Sequence, residues 1–170
     1  QRKGMGTYLE EISLEDMIKD RVERLLSKYD FGGAEKLYNE KLEDKNCEIW
    51  FQEQVKKYRE LETDELKSKL VKLLQSYKFK EAEQFYDEHL KARNCTEWYQ
   101  KKYEYFHGRF SAKDLLEKFE FMKADSFAKF FEVDEYENLK AKYVKKWFEN
   151  NVFEDGNKSY LLDEQQTIAV

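Results

Sequence analysis

The sequence predicts an all-α fold, a right-handed array of about three helical repeats with no sheet. Three observations predict it. The 170 residues include no proline and only six glycines, whereas sheets need turns and turns draw on Gly, Pro and Asn. Charged residues make up 39% of the chain, and Lys, Glu, Leu and Ala are helix formers whose long side chains can cover a helical surface. Finally, LLSKYDFGGAEKLYNEKLEDKNCEIWFQ, from Leu25, returns as LLQSYKFKEAEQFYDEHLKARNCTEWYQ, from Leu73, an offset of 48 residues without a gap.

The recurrence divides the chain. Leu26, Tyr29, Phe31, Ala34, Tyr38, Leu42, Cys47 and Trp50 return as Leu74, Tyr77, Phe79, Ala82, Tyr86, Leu90, Cys95 and Trp98. A degraded third copy, LLEKFEFMKADSFA, starts at Leu115. A fixed period of this kind marks stacked supersecondary units. Residues 1–12 form an N-terminal flank, 13–62 a first repeat, 63–108 a second, 109–151 a degenerate third, and 152–170 a linker and the start of something further.

Each repeat is predicted to hold three short helices. The first opens at Ser13, with Asp16 three residues on suggesting a capping box. In the second, Thr63 caps a helix from about Asp64 to Tyr77. A tight turn at Lys78–Lys80 leads to a helix over Glu81–Ala92, and Asn94 caps a third over Cys95–Phe106. His107-Gly108-Arg109 reads as the clearest break. Ser111 with Asp114, and Asp134 with Glu137, mark helix starts in the third repeat. Ala34 and Ala82 sit where one helix must cross another closely, with Tyr29/Phe31 and Tyr77/Phe79 closing the turn as a plug. An aromatic turn followed by an alanine and then a tyrosine resembles the tetratricopeptide repeat (TPR), implying a TPR-like superhelix. The period departs from that family, whose units are about 34 residues.

Chemistry-bearing residues are sparse. Cys47 and Cys95 recur one per repeat, which does not give the close ligand pairs of a zinc site, so they read as small buried residues. His89 stands where the first repeat has Lys41, and His107 falls at the expected break; neither is paired with a nucleophile. Glu35, Glu83 and Asp125 share one repeat position near a helix start, where a carboxylate favours the helix dipole. Lys140, Lys142, Lys145 and Lys146 interleave with Tyr143, Trp147 and Phe148, a pattern that can hold single-stranded nucleic acid. The plainer reading is an amphipathic helix with its lysines outward. A net charge of −5, from 36 acidic and 31 basic residues, speaks against a dedicated DNA-binding surface. No phosphate-binding loop, zinc-protease or nucleophile-elbow motif is present, so no catalytic residue, metal site or cofactor is assigned to the chain itself.

The last residues carry the other signal. After the polar stretch Asn150, Asn151, Asp155, Gly156, Asn157 and Ser159 comes Leu162-Asp163-x-x-Gln166-x-x-Ala169-Val170. This resembles the Q motif that opens the motor domain of UvrD/Rep-type superfamily-1 DNA helicases. The resemblance implies that Gln166 contacts the adenine of ATP, and that ATP and Mg belong to a parent chain carrying a missing motor domain. It also implies that the helical region is an accessory piece, docking a protein partner or positioning the motor on DNA. A stand-alone protein-interaction module of helical repeats is the rival reading, and a single-stranded nucleic-acid binder the third. Two cysteines and no apolar run near the roughly 20 residues of a bilayer span predict an intracellular protein, cytoplasmic or nuclear, with no membrane partner.

Overall fold

Helix formers fill every segment between the aromatic turns, and the chain folds accordingly. The structure, a computed structural model, describes residues 2–151, with side chains from Leu14 onward. Among these residues there are seven α-helices and no strand: α1 (Arg2–Ser27), α2 (Phe31–Lys41), α3 (Glu48–Gln75), α4 (Phe79–His89), α5 (Thr96–Glu117), α6 (Phe121–Asp125) and α7 (Val133–Asn151). Short 3₁₀ turns follow α2, α4 and α6, at Glu43–Lys45, Lys91–Arg93 and Ala128–Phe130.

One backbone device ends α1, α3 and α5. Tyr29, Tyr77 and Phe119 take left-handed φ values of 60°, 59° and 60°. Tyr29 N–H donates to the Leu26 carbonyl and Asp30 N–H to Leu25; Tyr77 and Lys78 repeat this on Leu74 and Leu73, and Phe119 and Glu120 on Leu116 and Leu115. This is the Schellman arrangement, which satisfies the last helical carbonyls. Glycine usually occupies the left-handed position, and a residue bearing Cβ pays about 1–2 kcal/mol there. Three rings hold it here because each packs beside a phenylalanine two residues on, at 6.4, 6.2 and 6.2 Å between centroids. Asp30 then caps α2, its Oδ1 accepting from Gly33 N–H at 2.9 Å.

Several expected helix boundaries lie inside continuous helices. α3 runs through Thr63, whose hydroxyl donates back to the Arg59 carbonyl at 2.9 Å and so is satisfied within the helix. Strong helix formers flank it on both sides. α1 runs through Ser13, and α5 through His107-Gly108-Arg109 and Ser111. Gly108 is fully surrounded, with the Phe130 ring lying against its backbone, so it marks a close approach rather than a loop. Asn94 was expected as an N-cap; it and its counterpart Asn46 adopt left-handed φ values of 57° and 56° and end the 3₁₀ turns, leaving Cys95 to cap α5. Asparagine tolerates that conformation readily. α7 opens at Val133, one residue before the expected Asp134.

The chain divides into two units, Gln1–Ser68 and Lys69–Val170, the division falling within α3. In the first, Val22 and Leu26 of α1, Ala34 and Tyr38 of α2, Leu42 and Cys47 form the buried core, flanked by Phe51, Val55 and Tyr58 of α3. Tyr38 stacks on Phe51 at 4.2 Å and 4°. In the second, the residues 48 positions later, Leu70, Leu74, Ala82, Tyr86, Leu90 and Cys95, are all buried. Tyr86 stacks on Tyr99 at 4.1 Å and 8°, repeating the Tyr38–Phe51 contact. A further cluster in this unit joins Leu116, Phe121, Ala124, Tyr136 and Trp147. The three alanines Ala34, Ala82 and Ala124 are fully buried, as their place at helix crossings requires.

Candidate functional site: an aromatic stripe on α5

Tyr99, Tyr103 and His107 are spaced four apart and therefore share one face of α5. Their rings form a ladder: Tyr99 to Tyr103 at 6.0 Å, and Tyr103 to His107 at 5.3 Å, nearly parallel at 12°. Phe79, the first residue of α4, supports it edge-on, 5.5 Å from Tyr103, 5.1 Å from His107 and 5.6 Å from Phe110. Tyr77 closes the end beside Phe110 at 5.2 Å, its hydroxyl accepting from Lys113 Nζ at 2.8 Å.

Two open clefts flank the ladder and share the Tyr103 ring. The first, about 350 Å³, lies among Glu83, Tyr99, Gln100 and Tyr103. The second, about 440 Å³, sets Tyr103, Glu104 and His107 against Phe127, Lys129 and Phe130. Arg109 fixes the far wall of the second. Its guanidinium donates to the Phe130 carbonyl at 3.0 Å, pairs with Glu135, and lies 4.3 Å from the Phe131 ring centre and 5.4 Å from that of Tyr105. The Arg109 hydrogen bond holds the Glu135 carboxyl below the usual carboxylate range, against the opposing effect of burial.

The first cleft is electronegative. Burial, then the charge of Glu83, and further on that of Asp87, push the Tyr99 phenol up to about 12. Glu83, Asp87 and Glu104 are exposed and enter no ion pair among the described residues. In the second cleft Lys129 already lies over the Phe130 ring, 5.1 Å from its centre. The stripe therefore offers ring faces for stacking and cation–π contact, carboxylates for a positive charge, and the Gln100 amide for hydrogen bonding.

The residues singled out from sequence are spread apart. Trp147 is buried in the α7 side of the core against Phe148, with no face open for stacking on a base. Lys140 is mostly covered and pairs with Asp125 at 3.1 Å, while Lys142, Lys145 and Lys146 are exposed, Lys142 lying 5.8 Å from the Tyr143 ring centre. Asp125 closes the five-residue α6, accepting from Tyr136 Oη at 2.6 Å, so there it serves as an acceptor for α7 rather than a dipole partner. Glu35 and Glu83 are exposed near the starts of α2 and α4. Cys47 and Cys95 are buried free thiols, Cys47 donating to Glu15 Oε1 at 3.3 Å. His89 lies exposed beside Phe85 at 4.6 Å. No group of His, Cys, Asp and Glu that could hold a metal occurs among the described residues. Gln166, and the stretch 152–170 with it, lie outside the described residues.

The stripe was present in the sequence as a four-residue spacing from Tyr99 to His107, but reading a break at Gly108 hid it. Compared with protein-family models, curated proteins and solved structures, the chain finds no match. No helix among the described residues is long and apolar enough to cross a membrane.

Proposed function

We propose that this chain is a helical-repeat docking module that holds a protein partner on the α5 stripe. The observation that carries the reading is the ladder Tyr99–Tyr103–His107, with two clefts sharing its central ring. Aromatic rings standing in open clefts are what protein interfaces use as anchors. In this reading the helix–turn–helix copies continue one another as a right-handed, TPR-like superhelix. The recurrent aromatic turns and the matched Tyr38–Phe51 and Tyr86–Tyr99 stacks support that arrangement. A photo-crosslinking residue at Gln100 is expected to trap a protein adduct that excess unlabelled chain competes away, whereas the same residue at Glu137 traps none. Equal trapping at both places, or trapping that competition leaves unchanged, would reject the docking surface.

The pattern from Leu162 to Val170 favours a more specific setting for the same module. In it the module is the accessory region of a UvrD/Rep-like DNA helicase, docking a partner or positioning a motor that hydrolyses ATP with Mg. Gln166 would then read adenine. That setting requires a phosphate-binding loop, GxxxxGK[ST], encoded shortly beyond Val170 in the parent reading frame. A reading frame without one removes the helicase and leaves the docking module.

A further inference from the structure

We infer that the partner presents a basic side chain, held in the cleft of Glu83, Tyr99, Gln100 and Tyr103, with an aromatic residue two positions on seated in the neighbouring cleft. This deepens the docking reading and rests on it. Charge is the first argument. Glu83 stands in the cleft wall, Asp87 is one helical turn further along α4, and Glu104, one turn from Gln100 on α5, lines the neighbouring cleft. All three are exposed, and none is neutralised by a cation among the described residues. Beside burial, the charges of Glu83 and Asp87 raise the Tyr99 phenol that lines this cleft.

The rings supply the second argument. Tyr99 and Tyr103 offer half-buried faces, and a cation against such a face is attracted by its quadrupole. The chain satisfies this preference with its own cations elsewhere: Arg59 lies 4.4 Å from the ring centre of Phe31, and Lys129 lies 5.1 Å from that of Phe130. Lys129 also divides the labour between the clefts. Its ammonium and the Glu104 carboxylate both line the second one, which therefore already holds charges of both signs and leaves Phe127, Phe130 and His107 to an uncharged aromatic group. Geometry sets the spacing. The clefts meet at Tyr103, in the middle of the nine-residue run Tyr99–His107, about 12 Å along α5. Alternate side chains of an extended peptide are roughly 7 Å apart, a span that fits across one shared ring.

The test uses the full chain and the peptide acetyl-Gly-Gly-Arg-Gly-Phe-Gly-Gly-amide, with citrulline-for-arginine and glutamate-for-arginine peptides as controls, read by isothermal titration at low salt. The arginine peptide is expected to bind, citrulline to weaken binding about tenfold, the scale of a partly desolvated cation–π contact with its counter-charge, and glutamate to abolish it. The double variant Glu83→Gln/Asp87→Asn, both surface positions, should lose about the same factor for the arginine peptide while keeping its melting temperature. Equal affinity for the arginine and citrulline peptides, unchanged affinity in the double variant, or no binding of the arginine peptide would each overturn the proposal. Competed crosslinks at Gln100 alongside any of those results would leave docking in place and reject only the basic partner.

Discussion

Gly108→Ala is the sharpest probe of how α5 meets the turn after α6. Glycine inside a helix costs about 1 kcal/mol against alanine, so on helix propensity alone the substitution should stabilise. The surroundings oppose this. A Cβ at Gly108 would stand 2.9 Å from Phe130 Cγ and closer still to Cδ2 and Cε2. Phe130 is half-buried, and its carbonyl is held by Arg109, so the ring can retreat only in part. Overpacking of this kind costs about 1–3 kcal/mol. The net effect is a loss of about 1 kcal/mol, a fall in Tm of about 2–4 °C for a chain of this size. In a Phe130→Ala background the obstacle is gone, and the same substitution should stabilise by about 0.5–1 kcal/mol. Thermal and urea unfolding followed by circular dichroism and tryptophan fluorescence would measure all four corners of the cycle. A Gly108→Ala protein that melts higher than wild type, or two substitutions that simply add, would refute the close approach.

Ala82→Leu should cost about 1–3 kcal/mol, because the residue is fully buried where α4 crosses its neighbours; an unchanged urea midpoint would contradict that packing. Arg109→Lys should cost about 2 kcal/mol despite keeping the charge, since lysine can neither span the Phe130 carbonyl and Glu135 together nor stack on Phe131 as a plane. Tyr29 and Tyr99 have phenols raised to about 12, against an ordinary value near 10. Their contribution to stability is therefore complete below pH 10 and lost as pH rises from about 10 to 12, so alkaline unfolding should be blunted in Tyr29→Phe. Midpoints falling equally in both proteins would reject this. Burial pushes the Cys47 thiol up, and it should react with a disulfide reagent at pH 8 only as the chain unfolds; prompt labelling of the native protein would count against its placement.

The helical class, the buried alanines and the aromatic turns were all readable, because each leaves a local signature: composition, a small residue at a fixed offset, a ring before it. The lengths of α3 and α5 were not. Thr63 and Ser111 carry side chains that cap helices in isolation, yet inside a long run of Lys, Glu and Leu a hydroxyl can turn back onto its own helix, as Thr63 does on Arg59. Gly108 was misread for the same reason; whether glycine breaks a helix or admits a ring depends on Phe130, 22 residues away. The left-handed rings were hidden too, since a residue bearing Cβ takes that conformation against its own backbone preference. Of the site, the Tyr99–His107 spacing was legible, whereas the clefts depend on Phe127 and Phe130 arriving from another segment.

Tyr29 and Tyr77 occupy matched turns, but what faces them differs in sign. The Glu65 carboxylate helps to raise the Tyr29 phenol, whereas the Tyr77 hydroxyl accepts a hydrogen from Lys113, at the position 48 residues later. A phenol can donate or accept, so the ring at each turn can serve as a latch beside a later helix whether that helix offers an anion or a cation. Sequence drift can therefore invert the electrostatic character around one latch without unfastening it, and each copy is free to acquire its own surface while keeping a common frame.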